Sequence, residues 1–220
     1  MNNIRVTAFR WVPPFAQGLV RDLRVRWALE EAGLPYEQVL IGADEQKSAE
    51  YRKLQPFGQV PVFEADGFTL FESGSIVAYV AERSDTLLPR DPQGRARTLT
   101  WMFAALNSIE PHVQNLNLID LFHPDEDWAK QRRPGAEATL RGRLASLSQS
   151  LGEKPCLEGA SFTAADLLMV SVLRFLRHIP IVAEYPNLAA YKDRGEARPA
   201  FQRALAAQLE NFEKYKPVAA

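Results

Sequence analysis

Residues 57–83, FGQVPVFEADGFTLFESGSIVAYVAER, constrain the fold of this chain more than any other stretch. Pro61 heads the apolar run Pro61-Val62-Phe63, and proline can lead a strand but not sit inside one. A second apolar run, Phe68-Thr69-Leu70-Phe71, follows across Ala65-Asp66-Gly67. An Asp-Gly pair between two such runs is a strong hairpin signal. Beyond Glu72-Ser73-Gly74-Ser75 the period changes from two to helical, with Ile76, Val77, Val80 and Ala81 on one stripe. The stretch predicts a hairpin followed by a helix, with Glu72 and Ser73 at the junction.

Such a junction can bind a ligand. A helix N-terminus offers unpaired backbone N–H groups and the positive end of the helix dipole, which suit a carboxylate. Ser73 adds a hydroxyl donor, and Glu72 can accept from an ammonium group. A ligand carrying both an amine and a carboxylate fits the pair; the competing assignment is that Ser73 only caps the helix. Gln59-Val60-Pro61 followed by Glu72-Ser73 resembles the glutathione-binding half of the glutathione transferase family, in its cytosolic, bacterial-type form. The resemblance implies a cis bond before Pro61 and backbone pairing of Val60, beside Gln59, with the cysteinyl part of glutathione. It also implies that Glu72 and Ser73 hold the γ-glutamyl end. An uncharged X–Pro bond is usually trans, so the cis assignment rests on the resemblance alone.

The remainder of the first half is consistent with that layout. Residues 4–9 and 36–41 read as strands around a helix that ends near Ala32 and stops at Gly33, the glycine-favoured position after a helix. On that helix Val25, Ala28, Leu29 and Ala32 form the core face, while Arg21, Arg24, Arg26, Glu30 and Glu31 are expected mostly outside. Residues 48–54 read as a short helix. Strand, helix, strand, short helix, hairpin and helix suit a mixed sheet of four strands covered by helices, the thioredoxin-like layout. The run VRWALEEAGLPYE at residues 25–37 again resembles the transferase family. The expected division is a thioredoxin-like domain over 1–83, a linker over 84–92 and an all-helical domain over 93–220.

Residues 94–122 are apolar-periodic and interrupted by Pro111, where a kink or break is expected. Residues 122–134 are polar and read as a loop, which includes Arg132-Arg133; residues 136–151 read as a helix. Thr163 with Asp166 three residues on is an acid variant of the capping box at the head of the next helix, so Asp166 is assigned a structural capping role. This box and the ending YPNLAAYKDRGEARPAFQRAL also resemble the family.

The chemistry departs from the family pattern. The thiolate of glutathione is the nucleophile, and its pKa has to be lowered by a nearby donor or cation. The family supplies a Tyr, Ser or Cys near the first strand or first helix, yet residues 7–22 contain none of the three. Arg21 as a cation, Gln17 or the Trp11 indole as a donor, and backbone N–H groups at the helix start remain. The single cysteine, Cys156, lies far from this region, which disfavours thiol–disulfide chemistry of its own and excludes an internal disulfide framework. Trp101, Met102, Phe103, Asn107 and His112 read first as a core stripe. The resemblance implies that Trp101, Phe103 and Asn107 wall an electrophile site.

Composition closes off other classes. With 26 basic and 27 acidic residues the net charge is -1, which gives no electrostatic case for nucleic acid or an anionic membrane. No run approaches the ~20 apolar residues of a membrane helix, the first residues lack a signal-peptide apolar region, and His112, His123 and His178 have no metal-ligand spacing. The expectation is a cytoplasmic detoxification enzyme without metal. It binds glutathione as co-substrate and turns its thiolate on an apolar electrophile, by conjugation or peroxide reduction. The resemblance further implies a homodimer, with Phe57 a key residue. A non-catalytic stress or interaction protein of the same fold, and a glutathione-dependent isomerase or dehalogenase, are the alternatives.

Overall fold

The Asp66-Gly67 pair turns the chain as its chemistry demands, with φ of 50° and 78° at the two residues, the paired positive values that two-residue hairpins favour. In the structure, a computed structural model describing residues 1–217, this hairpin completes a four-stranded sheet. Strand β1 (Arg5–Phe9) pairs in parallel with β2 (Glu37–Ile41) and antiparallel with β3 (Val62–Ala65), and β3 turns into β4 (Phe68–Phe71), giving the order β2-β1-β3-β4. Helix α1 (Asp22–Ala32) joins the parallel pair and ends at Gly33, whose φ of 65° is cheap only for glycine. Two short helices follow β2, α2 (Ala43–Lys47) and α3 (Ala49–Leu54), the second capped by the Ser48 side chain. Helix α4 (Ser73–Ala81) follows the hairpin. This is the expected thioredoxin-like layout, with Val6, Ala8, Val25, Leu29, Val62, Phe63, Ile76 and Val80 in its core.

Contacts divide the chain into two units, Leu88–Ala197 and Met1–Leu87 together with the chain from Arg198 onward. The unit from Leu88 is helical: α5 (Pro92–Phe103), α6 (Glu110–Asn117), α7 (Asp127–Leu151), α8 (Ala164–Arg174) and α9 (Pro186–Glu196). Pro111 does not break the chain. The preceding turn, Ala104–Ile109, widens to π geometry, with the N–H of Glu110 reaching back to the carbonyl of Ala105. A widened turn takes up a proline that can neither donate nor sit close to the carbonyl four residues back.

One boundary differs from the sequence reading. Helix α7 begins at Asp127 and carries Pro134 within it, so residues 127–134 are helix and not loop. Ala129 there is buried, and Arg133 binds Asp120 at 2.7 Å and Glu137 at 2.6 Å, tying the turns on both sides of the proline. Arg133 is thus an ion-pair partner and not a solvated loop residue.

The last helix, α10 (Pro199–Lys214), belongs by contact with the sheet unit, although the expected helical domain ran to residue 220. It lies on α1: Trp27 and Phe201 meet edge to face at 4.8 Å, and Arg203 and Arg198 bind Glu30 and Glu31. With α10 on one side and α4 on another, the outward assignment of two arginines is overturned. All residues from Asp22 to Leu29 are buried, Arg24 at 2% exposure and Arg26 at 0%. Arg26 answers its burial with an ion pair to Asp22 at 2.6 Å, whose other oxygen accepts from Gln208 at 2.7 Å. No helix among the described residues is long and apolar enough to cross a membrane.

Candidate functional site

The site begins with the turn into β3. Gly58, at φ 62°, and Gln59 are pinned by side chains from α2 and α3. Gln46 Nε2 donates to the Gly58 carbonyl at 2.6 Å, and Tyr51 Oη donates to the Gln59 carbonyl at 2.7 Å. Burial pushes the Tyr51 phenol up to about 12, so it remains a donor throughout the neutral range. Beyond this braced turn the Val60–Pro61 peptide bond is cis, Val60 and Pro61 are buried, and Gln59 is exposed.

At the end of β4 the chain takes an uncommon conformation. Glu72 sits at φ 69°, ψ 111°, outside the helix it precedes, with its side chain exposed and making no capping bond. A non-glycine residue held there stores on the order of 1–3 kcal/mol, and such outliers cluster where ligands bind. Ser73 is the first residue of α4 and not its cap. Its buried hydroxyl instead accepts a hydrogen bond from Nη1 of Arg24 at 3.3 Å. The junction therefore offers an exposed carboxylate, a hydroxyl with its own proton to give, and the N-terminus of a nine-residue helix.

The loop between β1 and α1 holds the three activation candidates. Gln17 spends its amide on the Val12 carbonyl at 3.0 Å. The Trp11 Nε1 atom is buried with no hydrogen-bond partner among the described residues, and Arg21 sits half-buried at the N-cap of α1. Two N–H groups at the start of α1 are already committed: Leu23 donates to Val20 at 3.0 Å and Arg24 to Arg21 at 3.2 Å.

Residues 16–82 match the family described as glutathione S-transferase, N-terminal domain, and residues 117–208 match glutathione S-transferase, C-terminal domain. The chain is 30% identical to glutathione S-transferase F14 of Arabidopsis thaliana over 194 residues, covering 81% of this chain and 76% of that protein. The chain belongs to the glutathione S-transferase family. A second relative, disulfide-bond oxidoreductase YfcG of Escherichia coli (strain K12), is 30% identical over 192 residues, 80% of this chain and 86% of that one. A glutathione transferase of Burkholderia graminis, solved with two glutathione molecules bound per subunit, superposes with a TM-score of 0.81 at 26% identity, over 93% of this chain and 88% of that chain.

In the helical unit, the stripe read from the sequence splits. Met102 is core, Trp101 is half-buried, Phe103 at the end of α5 is 62% exposed, and Asn107 is exposed on the π turn. Asp166 is fully buried at the head of α8 and accepts from the Thr163 N–H at 2.9 Å and the Thr163 hydroxyl at 3.0 Å. Among the described residues no group of three or more His, Cys, Asp or Glu comes together as a metal site would require. His178 lies 3.3 Å from Asp120, and His123 packs on Trp128.

Sequence reasoning passed over three side chains that brace the candidate site: Arg24, Tyr51 and Gln46. Arg24 carried a signal, since it lies four residues before Ala28 and so shares the buried stripe of α1. Tyr51 and Gln46 carried none; their targets are backbone carbonyls brought near only by the fold.

Proposed function

We propose that this chain is a glutathione transferase that binds glutathione along β3 and the start of α4, lowers its thiol pKa and turns the thiolate on an apolar electrophile, by conjugation or by peroxide reduction. The observation that carries the reading is the Glu72–Ser73 junction, an exposed acid in a strained conformation beside a buried, oriented hydroxyl. Glu72 receives the γ-glutamyl ammonium, Ser73 and the helix N-terminus receive its carboxylate, and Val60 with Gln59 pairs the cysteinyl backbone next to Pro61. Asp166 and Thr163 serve the fold and not the chemistry.

Thiolate stabilisation falls to the loop before α1. Arg21 leads as the nearby cation, and the Trp11 N–H supports it. Gln17 ranks behind both, because its amide already holds Val12. Trp101, Phe103 and Asn107 wall the electrophile site. The working form is a cytoplasmic homodimer in detoxification, with Phe57, 66% exposed beside Phe71, as an anchor between subunits. Sedimentation at low micromolar concentration tests the dimer, and a monomer removes that claim.

The name of the E. coli relative favours one second reading, disulfide exchange. Here exchange would run through the sulfur of glutathione, since the sole cysteine is the buried Cys156. Thiolate absorbance of the glutathione complex, followed against pH, tests activation. Arg21→Ala is expected to raise the bound thiol pKa by about one unit, equivalent to ~1.4 kcal/mol. A free-solution pKa in the wild type would leave a protein that binds glutathione without activating it. A panel of electrophiles, peroxides and mixed disulfides then separates conjugation, reduction and exchange.

A further inference from the structure

The loop that carries Trp11 and Arg21 is held at its exit into α1 by a side chain of α10. We propose that Gln208, on α10, is a positioning residue for thiol activation: it fixes Val20 and Asp22 at the entrance to α1, and with them the place of that loop beside the glutathione sulfur. The proposal rests on the reading that glutathione is bound and activated here.

Gln208 is 1% exposed, and its Nε2 donates to the Val20 carbonyl at 3.3 Å and to Asp22 Oδ1 at 2.7 Å, across 188 and 186 residues of sequence. An amide nitrogen has two hydrogens, and each acceptor takes one. The reversed amide would set its oxygen against two acceptors, so the contacts themselves assign the orientation. The Gln208 oxygen is buried with no hydrogen-bond partner among the described residues, and burying such a group is unfavourable. An apolar side chain would fill the space at less cost, so the amide is explained by what its nitrogen holds.

Val20 joins two parts of the candidate site. Its side chain packs against the cluster of Ile41, Tyr51, Val60 and Val62, which contains the residue before the cis bond. Its carbonyl also accepts from the Leu23 N–H at 3.0 Å as the chain turns into α1, and Arg21 follows it directly. The N-cap position of α1 holds that arginine, not one of the short side chains that ordinarily fix the entry of a chain into a helix. Gln208 supplies the fixation from α10 instead, gripping the residues on both sides of Arg21.

Two readouts separate activation from binding. Thiolate absorbance of the glutathione complex, followed against pH, gives the pKa of the bound thiol. Calorimetry with S-methylglutathione, which has no thiol proton, gives the affinity of the rest of the site. Gln208→Leu removes both bonds at similar volume. It should raise the bound thiol pKa by about one unit, an about tenfold lower thiolate-to-thiol ratio, and leave S-methylglutathione affinity unchanged. A pKa equal to that of the wild type overturns the proposal. So does a pKa that rises only together with weaker S-methylglutathione binding, the mark of general loosening. If Gln208→Leu does not fold, Gln208→Asn, which keeps the amide but is too short to hold both acceptors, decides in the same way. A wild type that binds S-methylglutathione yet leaves glutathione at its free-solution pKa overturns the activation reading, and the proposal with it. One that binds neither ligand overturns the glutathione reading. Both failures are distinct from a lowered wild-type pKa that Gln208 does not influence.

Discussion

The starts of α4 and α8 each carry an acid and a hydroxyl, and they use them in opposite ways. At α8, Thr163 and Asp166 close on each other. Asp166 is fully buried and accepts from the Thr163 N–H, the Thr163 hydroxyl, the Leu157 N–H at 2.8 Å and Tyr191 Oη at 2.9 Å. At α4, Glu72 is exposed, its side chain makes no bond to the helix it precedes and it sits at φ 69°, while the Ser73 hydroxyl is met from the neighbouring α1 by Arg24. Four donors finish the α8 start, so it has nothing left for a ligand. The α4 start leaves its acid side chain exposed and its hydroxyl proton available, as the proposed ligand site requires. The same residue types make a closed cap in one place and an open helix start, the proposed binding site, in the other, and their partners decide which.

The largest expected effect lies at the closed helix. Asp166→Ala leaves four buried donors without their acceptor, and should lower the unfolding free energy by ~3–5 kcal/mol in urea denaturation. Glutathione affinity of the folded fraction should not change. A loss below ~1 kcal/mol would erase the contrast between the two helices.

Glu72→Gly tests the open helix with effects of opposite sign. Glycine relieves the positive φ, so stability should hold or rise by up to ~1 kcal/mol. Loss of the carboxylate should weaken glutathione binding by ~1.5–3 kcal/mol in a titration. A variant that is less stable yet binds normally would make Glu72 a structural residue and reverse the comparison.

The smallest effect sharpens the account of α8. Tyr191→Phe removes one donor of four and should reduce stability by ~1 kcal/mol. Burial, and then the Asp166 charge, hold the Tyr191 phenol well above its ordinary pKa. A raised folded pKa means the contribution is present below the unfolded pKa, near 10, and fades only above it. The wild-type advantage over Tyr191→Phe should therefore be flat from about pH 5 to 9. A slope in that window would show that the phenol titrates and that the closed cap has been misread.

Local chemistry was legible in the sequence. Asp66-Gly67 specifies its turn through two residues able to adopt positive φ, and Thr163…Asp166 specifies a cap through side chains that reach only their own first turn. Glu72-Ser73 was legible as the junction of hairpin and helix for the same reason. Interactions that depend on the assembled fold were not. The depth of Asp22 and Arg26 is created by α10, whose Gln208 lies 186 residues from its partner Asp22. The bond that takes Ser73 out of a capping role comes from a helix 49 residues earlier. Helix α7 could not be read through Pro134, because the ion pairs that steady it include Asp120, which is outside the helix. Amphipathic patterning tells which face of α1 meets the sheet, but not that its other face is covered too.

The claim at the centre of this account is that the start of α4 is held open for the γ-glutamyl end of glutathione. Side-by-side calorimetric titration of the wild type and Ser73→Ala tests it most directly. The account predicts glutathione binding to the wild type, weakened by ~1.5–3 kcal/mol, about 10- to 150-fold, in Ser73→Ala. Equal affinity in the two proteins would contradict it.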